Sequence, residues 1–433
     1  MAGERPTRRR FLRGLSGVAA ASTVVSGASE VARADSHGDE SWPQFGYDDG
    51  NTGNAPNNTG PVGDIREQWS FQTDDYVISS PAVVDGTVYV GSQNGTVYAI
   101  DAGSGTEQWS FQTDAFAESS PAVVDGTVYV GSNNVDSTLY ALDAGDGTEQ
   151  WAFQTEGDLG SAPVVVDGTV YVEQAEDSAE GKLYALDAGD GTEQWVVQVD
   201  DVLSSPAVVD GTVYIGGEDT ETGDGAVYAL DASDGTEQWS VRTSGPVSPP
   251  TVNNNTVYVR SVSGNDRVGG AVYALDAGDG TEQWSVQTDV HVWTSPAVAD
   301  GTVYVRSGEL HALDASDGTE QWAFDTGSVV PSSPAVVNET VYIGAEDTVM
   351  ALDAGDGSEQ WAFQTSDNLY SSPAVADGAV YIGSKDGRVY SLVEENGWIS
   401  NTKAPLFALG VLGLGSAGVG ALWYRRSNDT SDE

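Results

Sequence analysis

The stretch ALDAGDGTEQW at residues 141–151 is one copy of a pattern that recurs along most of the chain. An eighth tryptophan, Trp69, has the same Glu-Gln-Trp ending but no complete copy before it. Consecutive tryptophans of the pattern lie about 40 residues apart, and such a period, made of short β-type segments, is typical of a propeller. Complete copies of Ala-x-Asp-x-x-x-Gly-x-x-x-Trp begin at Ala99, Ala141, Ala185, Ala229, Ala274, Ala312 and Ala351.

The sequence pattern within each repeat predicts four short strands joined by tight turns. In the first repeat they cover residues 80–84, 87–91, 96–101 and 107–113, with Val and Tyr alternating in the second strand. The Asp-Gly pair at residues 85–86 separates the first two strands and suits a two-residue turn with positive φ. Helical periodicity is absent from these segments. We therefore expect each repeat to form one four-stranded antiparallel blade.

The order of the strands predicts how the ring closes. The repeats begin with a lone fourth strand at residues 66–73 and end with three strands at residues 371–393 that lack a fourth. Pairing of these two segments removes the open gap between the first and last blades. The sequence therefore predicts an all-β, eight-bladed propeller of four-stranded antiparallel blades, in which the N-terminal outer strand completes the C-terminal blade.

The repeated motif resembles the tryptophan-docking motif of quinoprotein-type propellers, the family named for pyrroloquinoline quinone (PQQ). The resemblance extends over residues 42–393 and includes a lead-in at 42–53, whereas the eighth copy departs from the motif at Ser391 and Val393. In that family each docking tryptophan packs between adjacent blades, and the Asp and Gly of the motif shape the turn. The resemblance assigns structural docking to Trp69, Trp109, Trp151, Trp195, Trp239, Trp284, Trp322 and Trp361.

The resemblance leaves two functions open. In the family's dehydrogenases the quinone lies on the propeller axis with a calcium ion and a catalytic Asp, and several carry an adjacent cysteine pair, whereas this chain has no Cys. No carboxylate stands out as a base and no metal-ligand constellation is apparent, so we assign no catalytic residue and no metal site. The compact chain is more similar to the non-enzymatic branch, such as the scaffold lipoprotein of bacterial outer-membrane assembly. We expect a binding or scaffold module; a PQQ- and calcium-dependent dehydrogenase of alcohols or sugars is the alternative.

The charge balance narrows the range of partners. The chain has 17 Lys and Arg against 66 Asp and Glu, a net charge of -49, so it repels phosphate backbones and nucleic acid is excluded. Acid-rich, lysine-poor surfaces stay soluble in concentrated salt, where the short Debye length screens self-repulsion. In this respect the chain resembles secreted haloarchaeal proteins. We expect a monomeric propeller whose partner is a protein, a peptide or a small anionic ligand.

Both ends of the chain are interpreted as targeting segments. Arg8 and Arg9, followed by an apolar run, resemble a twin-arginine signal peptide with a cleavage site at Ala32 to Ala34. Residues 404–424 are uncharged and long enough to span a bilayer as a helix, with a removable sorting tail as the alternative. The predicted organisation, with the propeller outside the cell membrane, is signal peptide 1–34, lead-in 35–63, propeller 64–393, linker 394–403, transmembrane helix 404–424 and cytoplasmic tail 425–433.

Comparison among the repeats predicts where a ligand binds. Alternating strand direction places the Asp-Gly turns and the docking turns on one nearly uniform face, the constant face, and the other loops on the opposite, varied face. Because loops on a rigid scaffold commonly carry function, we expect the varied face to bind the partner, with neutral drift of the loops as the alternative. A group of arginines there suits bidentate recognition of a planar anion, unless these arginines only form salt bridges to acidic neighbours. The ligand-binding candidates are Arg242, Arg260, Arg267, Arg306, His291 and Trp293.

Overall fold

Thirty-two β-strands occur in the computed structural model, which describes residues 40–133, 137–175, 180–200, 204–218, 224–262, 269–288, 294–327 and 331–395. The innermost strands are β2 (Ala82–Val84), β6 (Ala122–Val124), β10 (Val164–Val166), β14 (Ala207–Val209), β18 (Thr251–Asn253), β22 (Ala297–Ala299), β26 (Ala335–Val337) and β30 (Ala374–Ala376). The second strands are β3 (Thr87–Gly91), β7 (Thr127–Gly131), β11 (Thr169–Gln174), β15 (Thr212–Glu218), β19 (Thr256–Val262), β23 (Thr302–Ser307), β27 (Thr340–Ala345) and β31 (Ala379–Gly383). The third strands are β4 (Thr96–Asp101), β8 (Thr138–Asp143), β12 (Glu180–Asp187), β16 (Gly225–Asp231), β20 (Gly270–Asp276), β24 (Glu309–Asp314), β28 (Thr348–Asp353) and β32 (Arg388–Glu394). The outermost strands are β5 (Glu107–Gln112), β9 (Glu149–Gln154), β13 (Glu193–Asp200), β17 (Glu237–Thr243), β21 (Glu282–Thr288), β25 (Glu320–Asp325), β29 (Glu359–Gln364) and β1 (Ile65–Gln72).

These strands form eight four-stranded antiparallel sheets, the blades of a propeller. Blade 1 contains β2 to β5, and blades 2 to 7 follow with four consecutive strands each. Blade 8 combines β30, β31 and β32 with β1, which pairs with β32 from Ile65 opposite Glu394 to Gln72 opposite Arg388. The predicted eight-bladed architecture and its closure by the N-terminal strand are therefore confirmed.

The ends of the chain, with the predicted signal peptide, transmembrane helix and tail, lie outside the described residues. In the part of the chain that is described, no helix has the length and apolar character needed to cross a bilayer. The targeting interpretation of both ends therefore stays a prediction.

Burial follows the position of each strand in its blade. The second strand β3 is buried at every residue because neighbouring blades cover both of its faces. The outermost strand β5 alternates, with Trp109 buried between exposed neighbours. The innermost hairpin of blade 1 turns at Asp85 and Gly86, with φ of 50° and 75°, as expected for a two-residue turn of this composition. The hydrophobic core consequently lies between blades.

Tryptophans on the outermost strands join neighbouring blades. Trp151 donates its indole N–H to the carbonyl oxygen of Ala188 at 3.0 Å, and the Tyr129 hydroxyl donates to the same oxygen at 3.1 Å. A Cβ on Gly191 would lie 2.6 Å from the Trp151 ring, so only a glycine leaves room for the indole. Gly191 also has a φ of +72°, a conformation that favours glycine. Each buried indole contributes roughly 2–3 kcal/mol at an interface. The same bond to the next docking turn is made by Trp69, Trp109, Trp195, Trp239, Trp284 and Trp322.

The lead-in runs around the axis along the innermost strands. Each of these strands has an edge that faces the axis, and its inward backbone groups need hydrogen-bond partners. Asn58 donates its side-chain amide to the carbonyl oxygen of Val375 at 2.7 Å, and Trp42 is buried beside Val83. Carbonyl oxygens of the lead-in accept the N–H groups of Val83, Val123, Val208, Val252, Val298 and Val336. The lead-in therefore occupies the axial region of the ring and stabilises the strand edges there.

Candidate functional site

The two faces of the propeller differ in what they present. The constant face repeats the same turns around the ring. In these turns Asp143 and its counterparts accept hydrogen bonds from backbone N–H groups of their own turn. The varied face carries the connections between second and third strands and those between blades. Its longest insertions fall partly at residues 176–179, 219–223 and 263–268, which lie outside the described residues. The connections between second and third strands that are described in full are the shorter ones of blades 1, 6, 7 and 8.

Exposed aromatic side chains occur on the varied face. Tyr76 and Phe116, in successive connections between blades, are 45% and 50% exposed. Backbone hydrogen bonds hold both connections in place. The carbonyl oxygen of Tyr76 accepts the N–H of Gln93 at 2.8 Å, and that of Phe116 accepts the N–H of Asn133 at 2.7 Å. The Lys385 ammonium group lies 3.9 Å from the ring centre of Tyr370 and 5.9 Å from that of Tyr76. We call Tyr76, Phe116, Tyr370 and Lys385 the aromatic patch.

The structure describes three of the six predicted anion-binding residues, and these three differ in burial. Arg242 is exposed on β17, whereas Arg267, His291 and Trp293 lie outside the described residues. Arg260 and Arg306 are both 0% exposed, and burial lowers the pKa of each guanidinium to about 10. A ligand resting on the surface therefore does not reach the two arginines that the sequence comparison singled out.

Buried Arg306 joins two blades. Its Nη1 donates to the carbonyl oxygen of Gly344 at 2.5 Å, and its Nη2 donates to Thr326 Oγ1 at 3.2 Å. Gly344 holds in blade 7 the position that Arg306 holds in blade 6, two residues after the second-strand tyrosine. The guanidinium thus bridges neighbouring second strands, which is a structural role.

The sequence comparison missed Glu173, which holds the same position in blade 3. The residue is 3% exposed, and burial raises the pKa of its carboxyl group well above the usual value, against a hydrogen bond from the backbone of Ser204. The signal was present in the repeats, because glycine occupies this position in the blades that have no Arg or Glu there. The longer insertion that begins at this residue obscured it.

A ring of hydroxyl groups surrounds the axis on the varied-face side. The backbone N–H of Ser333 donates to Ser372 Oγ at 3.0 Å, and that of Ser372 donates to Ser80 Oγ at 2.9 Å. Each bond links one blade to the next. Ala162 and Pro249 stand at the corresponding positions of blades 3 and 5 and interrupt the ring.

The axial cavity enclosed by this ring is small. The hydroxyl ring and Phe45 of the lead-in line a cavity of about 180 Å³. Sites that bind small organic ligands have larger volumes, of roughly 300–1,000 Å³. The described residues contain no group of three or more His, Asp or Glu side chains placed to hold a metal ion. A calcium-held quinone on the axis therefore does not fit the residues that the structure describes.

The comparisons with known proteins agree with this architecture. The family model described as outer membrane protein assembly factor BamB matches residues 28–202, 179–305 and 268–402. The crystal structure of BamB from Moraxella catarrhalis is similar with a TM-score of 0.64 and 18% identity, covering 76% of this chain and 100% of that one. Quinohemoprotein alcohol dehydrogenase from Comamonas testosteroni is similar with a TM-score of 0.67 and 17% identity, covering 82% and 80%. At such identities these structures show the fold alone, and no curated protein matches the sequence significantly.

Proposed function

The chain belongs to the family of PQQ-repeat propellers described as outer membrane protein assembly factor BamB, and from this premise we propose that it is an exported, membrane-anchored scaffold that binds a protein partner through its varied face. The family description names an outer membrane protein assembly factor. The proposal for this chain rests on its own surface.

The observation that carries the proposal is the aromatic patch. Tyr76 and Phe116 expose 45% and 50% of their surface in connections that the backbone holds in place. Rigid aromatic side chains supply large contact areas at little entropic cost and are enriched in protein interfaces. Lys385 provides a cation on a surface that is otherwise strongly acidic. This combination favours a protein or peptide partner.

The other proposed ligands have less support. A small anionic ligand would meet Arg242, which is exposed, but Arg260 and Arg306 are buried. The quinone-dependent dehydrogenase, suggested by the similarity to alcohol dehydrogenases, needs an axial site larger than the described cavity of about 180 Å³. Neither class of ligand is matched by a set of described side chains that converge on it.

Export and anchoring are proposed from the two ends of the sequence. The arginine pair at residues 8–9 and the uncharged run at 404–424 support transport of the folded propeller and retention at the membrane. Protease added to intact cells should degrade the propeller and leave a membrane-bound C-terminal fragment. Replacement of Arg8 and Arg9 by Lys should retain the precursor inside the cell; an unchanged distribution would contradict export by the twin-arginine route.

Site-directed photocrosslinking in the host cell tests the binding role. A benzoylphenylalanine at Phe116 of the full chain should yield a discrete cross-linked product that Tyr76→Ser diminishes. Val196, 43% exposed on the outermost strand of blade 3, is the matched control position and should give none. Equal products from both positions would contradict binding through the varied face. Calcium-dependent, saturable quenching of tryptophan fluorescence by PQQ in molar salt would instead support the dehydrogenase.

A further inference from the structure

A second aromatic contact joins the blades outside the docking tryptophans. A phenylalanine of the outermost strand meets a tyrosine of the third strand in the next blade, as in Phe111–Tyr140, whose ring centres lie 5.3 Å apart in an edge-to-face arrangement. The other pairs are Phe71–Tyr98, Phe153–Tyr184 and Phe363–Tyr390. These ring pairs fill the outer part of the seam between two blades.

The seam between blades 5 and 6 has neither the phenylalanine nor the tyrosine. Val286 of β21 and His311 of β24 hold the phenylalanine and tyrosine positions there. The remaining seams keep at least one of the two aromatic residues. Their pairs are Val197 with Tyr228, Val241 with Tyr273 and Phe324 with Met350.

This substitution leaves an open slot of about 730 Å³, which we call the blade 5–6 slot. Its inner wall is apolar and consists of Val286, Val305 and Leu313. His311, with 21% of its side chain exposed, directs Nδ1 to Oε2 of Glu320 at 2.9 Å. The carboxylates that line the slot are Glu309, Glu320, Asp325 and Glu346. The slot therefore combines a wall shaped for rings with a negative rim.

We propose that the blade 5–6 slot binds an aromatic cation, a ring that carries an ammonium group on a short chain. The ring would occupy the volume that phenylalanine and tyrosine fill in other seams, against Val286 and Leu313. The ammonium group would meet the rim carboxylates, in a slot whose size lies within the range of small-ligand sites. The aromatic patch lies in other connections, so this site does not depend on the proposed scaffold function.

Filling the slot with the repeat's own residues gives a direct test. Tyramine binding to the full chain is measured by isothermal titration calorimetry at the lowest salt that keeps the chain folded, because salt screens the rim. We expect saturable binding that Val286→Phe/His311→Tyr weakens at least about tenfold. Val241→Phe is the matched control, since it adds the same ring at the seam of Tyr273 and should leave tyramine binding unchanged.

Further arms identify the ligand chemistry. Tyrosol, which keeps the hydroxyphenyl ring of tyramine and replaces the ammonium group by a hydroxyl, should bind more weakly than tyramine, and Glu320→Gln should reduce that difference. A peptide with a phenylalanine between lysines is compared with tyramine. Tighter binding of the peptide would identify the natural ligand as a protein segment, and weaker binding would identify it as a free amine. Absence of tyramine binding, or equal binding to the filled double variant, would overturn the proposal. A melting temperature of that variant at or above that of the unsubstituted chain shows that the loss does not come from misfolding.

Discussion

Trp361 donates its indole N–H to the carbonyl oxygen of Pro61 at 2.7 Å, across 300 residues of sequence. The other docking tryptophans bond to an alanine carbonyl in the next blade's docking turn. Blade 8 has no such turn, because its outermost strand comes from the opposite end of the chain. Pro61 takes over that acceptor position and also accepts the Tyr342 hydroxyl at 3.2 Å. The lead-in thus completes the seam between blades 7 and 8.

Enlarging Gly60 should weaken this seam. A Cβ at Gly60 would lie 2.3 Å from the Tyr342 hydroxyl and 2.9 Å from Cγ1 of Val375, so either Pro61 or these side chains must move. We expect Gly60→Ala to lower the free energy of unfolding by about 1–3 kcal/mol in denaturant titrations. Gly63→Ala is the control, because its added methyl meets only the movable carboxylate of Glu394. Equal losses in the two variants would contradict the closing role of Pro61.

The docking turn contains two glycines with different demands. Gly147 has a φ of +72°, and a Cβ there would lie 2.7 Å from the Trp109 ring, whereas a Cβ on Gly145 meets only Asp143 Oδ1 at 3.3 Å. Gly147→Ala should cost about 1–3 kcal/mol of stability and Gly145→Ala a few tenths at most. Thermal unfolding at constant salt measures both. A neutral Gly147→Ala would show that the indole has room to shift.

The hydroxyl ring predicts unequal effects from two similar serines. Ser333 Oγ accepts the N–H of Ser295 at 3.0 Å, so Ser333→Ala should lose about 1 kcal/mol in urea unfolding. Ser295 Oγ is buried without a hydrogen bond, since Pro249 in the preceding blade has no N–H to donate. Ser295→Ala should therefore be neutral or slightly stabilising. A loss as large as that of Ser333→Ala would rule out this account of the ring.

Asp48 in the lead-in makes stability depend on pH. Burial raises the pKa of its carboxyl group from 3.8 to about 6. Hydrogen bonds from the backbone N–H and the hydroxyl of Thr52 act in the opposite direction but are outweighed. The folded state therefore favours the protonated carboxyl, and this stabilisation is present below about pH 4 and lost as the pH rises through 6. The free-energy difference between Asp48→Asn and the unsubstituted chain should grow in favour of the variant over that interval. Asp74→Asn, on an exposed carboxyl, is the control, and a difference independent of pH would contradict the assignment.

Most of the fold was predictable because it depends on local patterns that repeat. The spacing of the tryptophans indicated eight blades, which the eight sheets confirm. The lone strand that contains Trp69 indicated how the ring closes, which the pairing of β1 with β32 confirms. The candidate site was less predictable. Arg260 and Arg306 were recognised as equivalent, but their burial depends on how neighbouring blades stack. Glu173 shares their position and escaped notice.

The sequence by itself determined the blade, since alternation, Asp-Gly turns and the docking motif act within about 40 residues. Tertiary structure alone decided what happens between blades and at the axis. The carbonyl oxygen of Pro61 takes the place of a missing docking turn, and the lead-in forms hydrogen bonds with strands far away in sequence. Val286 and His311 leave a slot only because the two blades that carry them are neighbours in the ring. Such relationships depend on distances in space between residues that no local pattern connects, so they become visible only once the ring has closed.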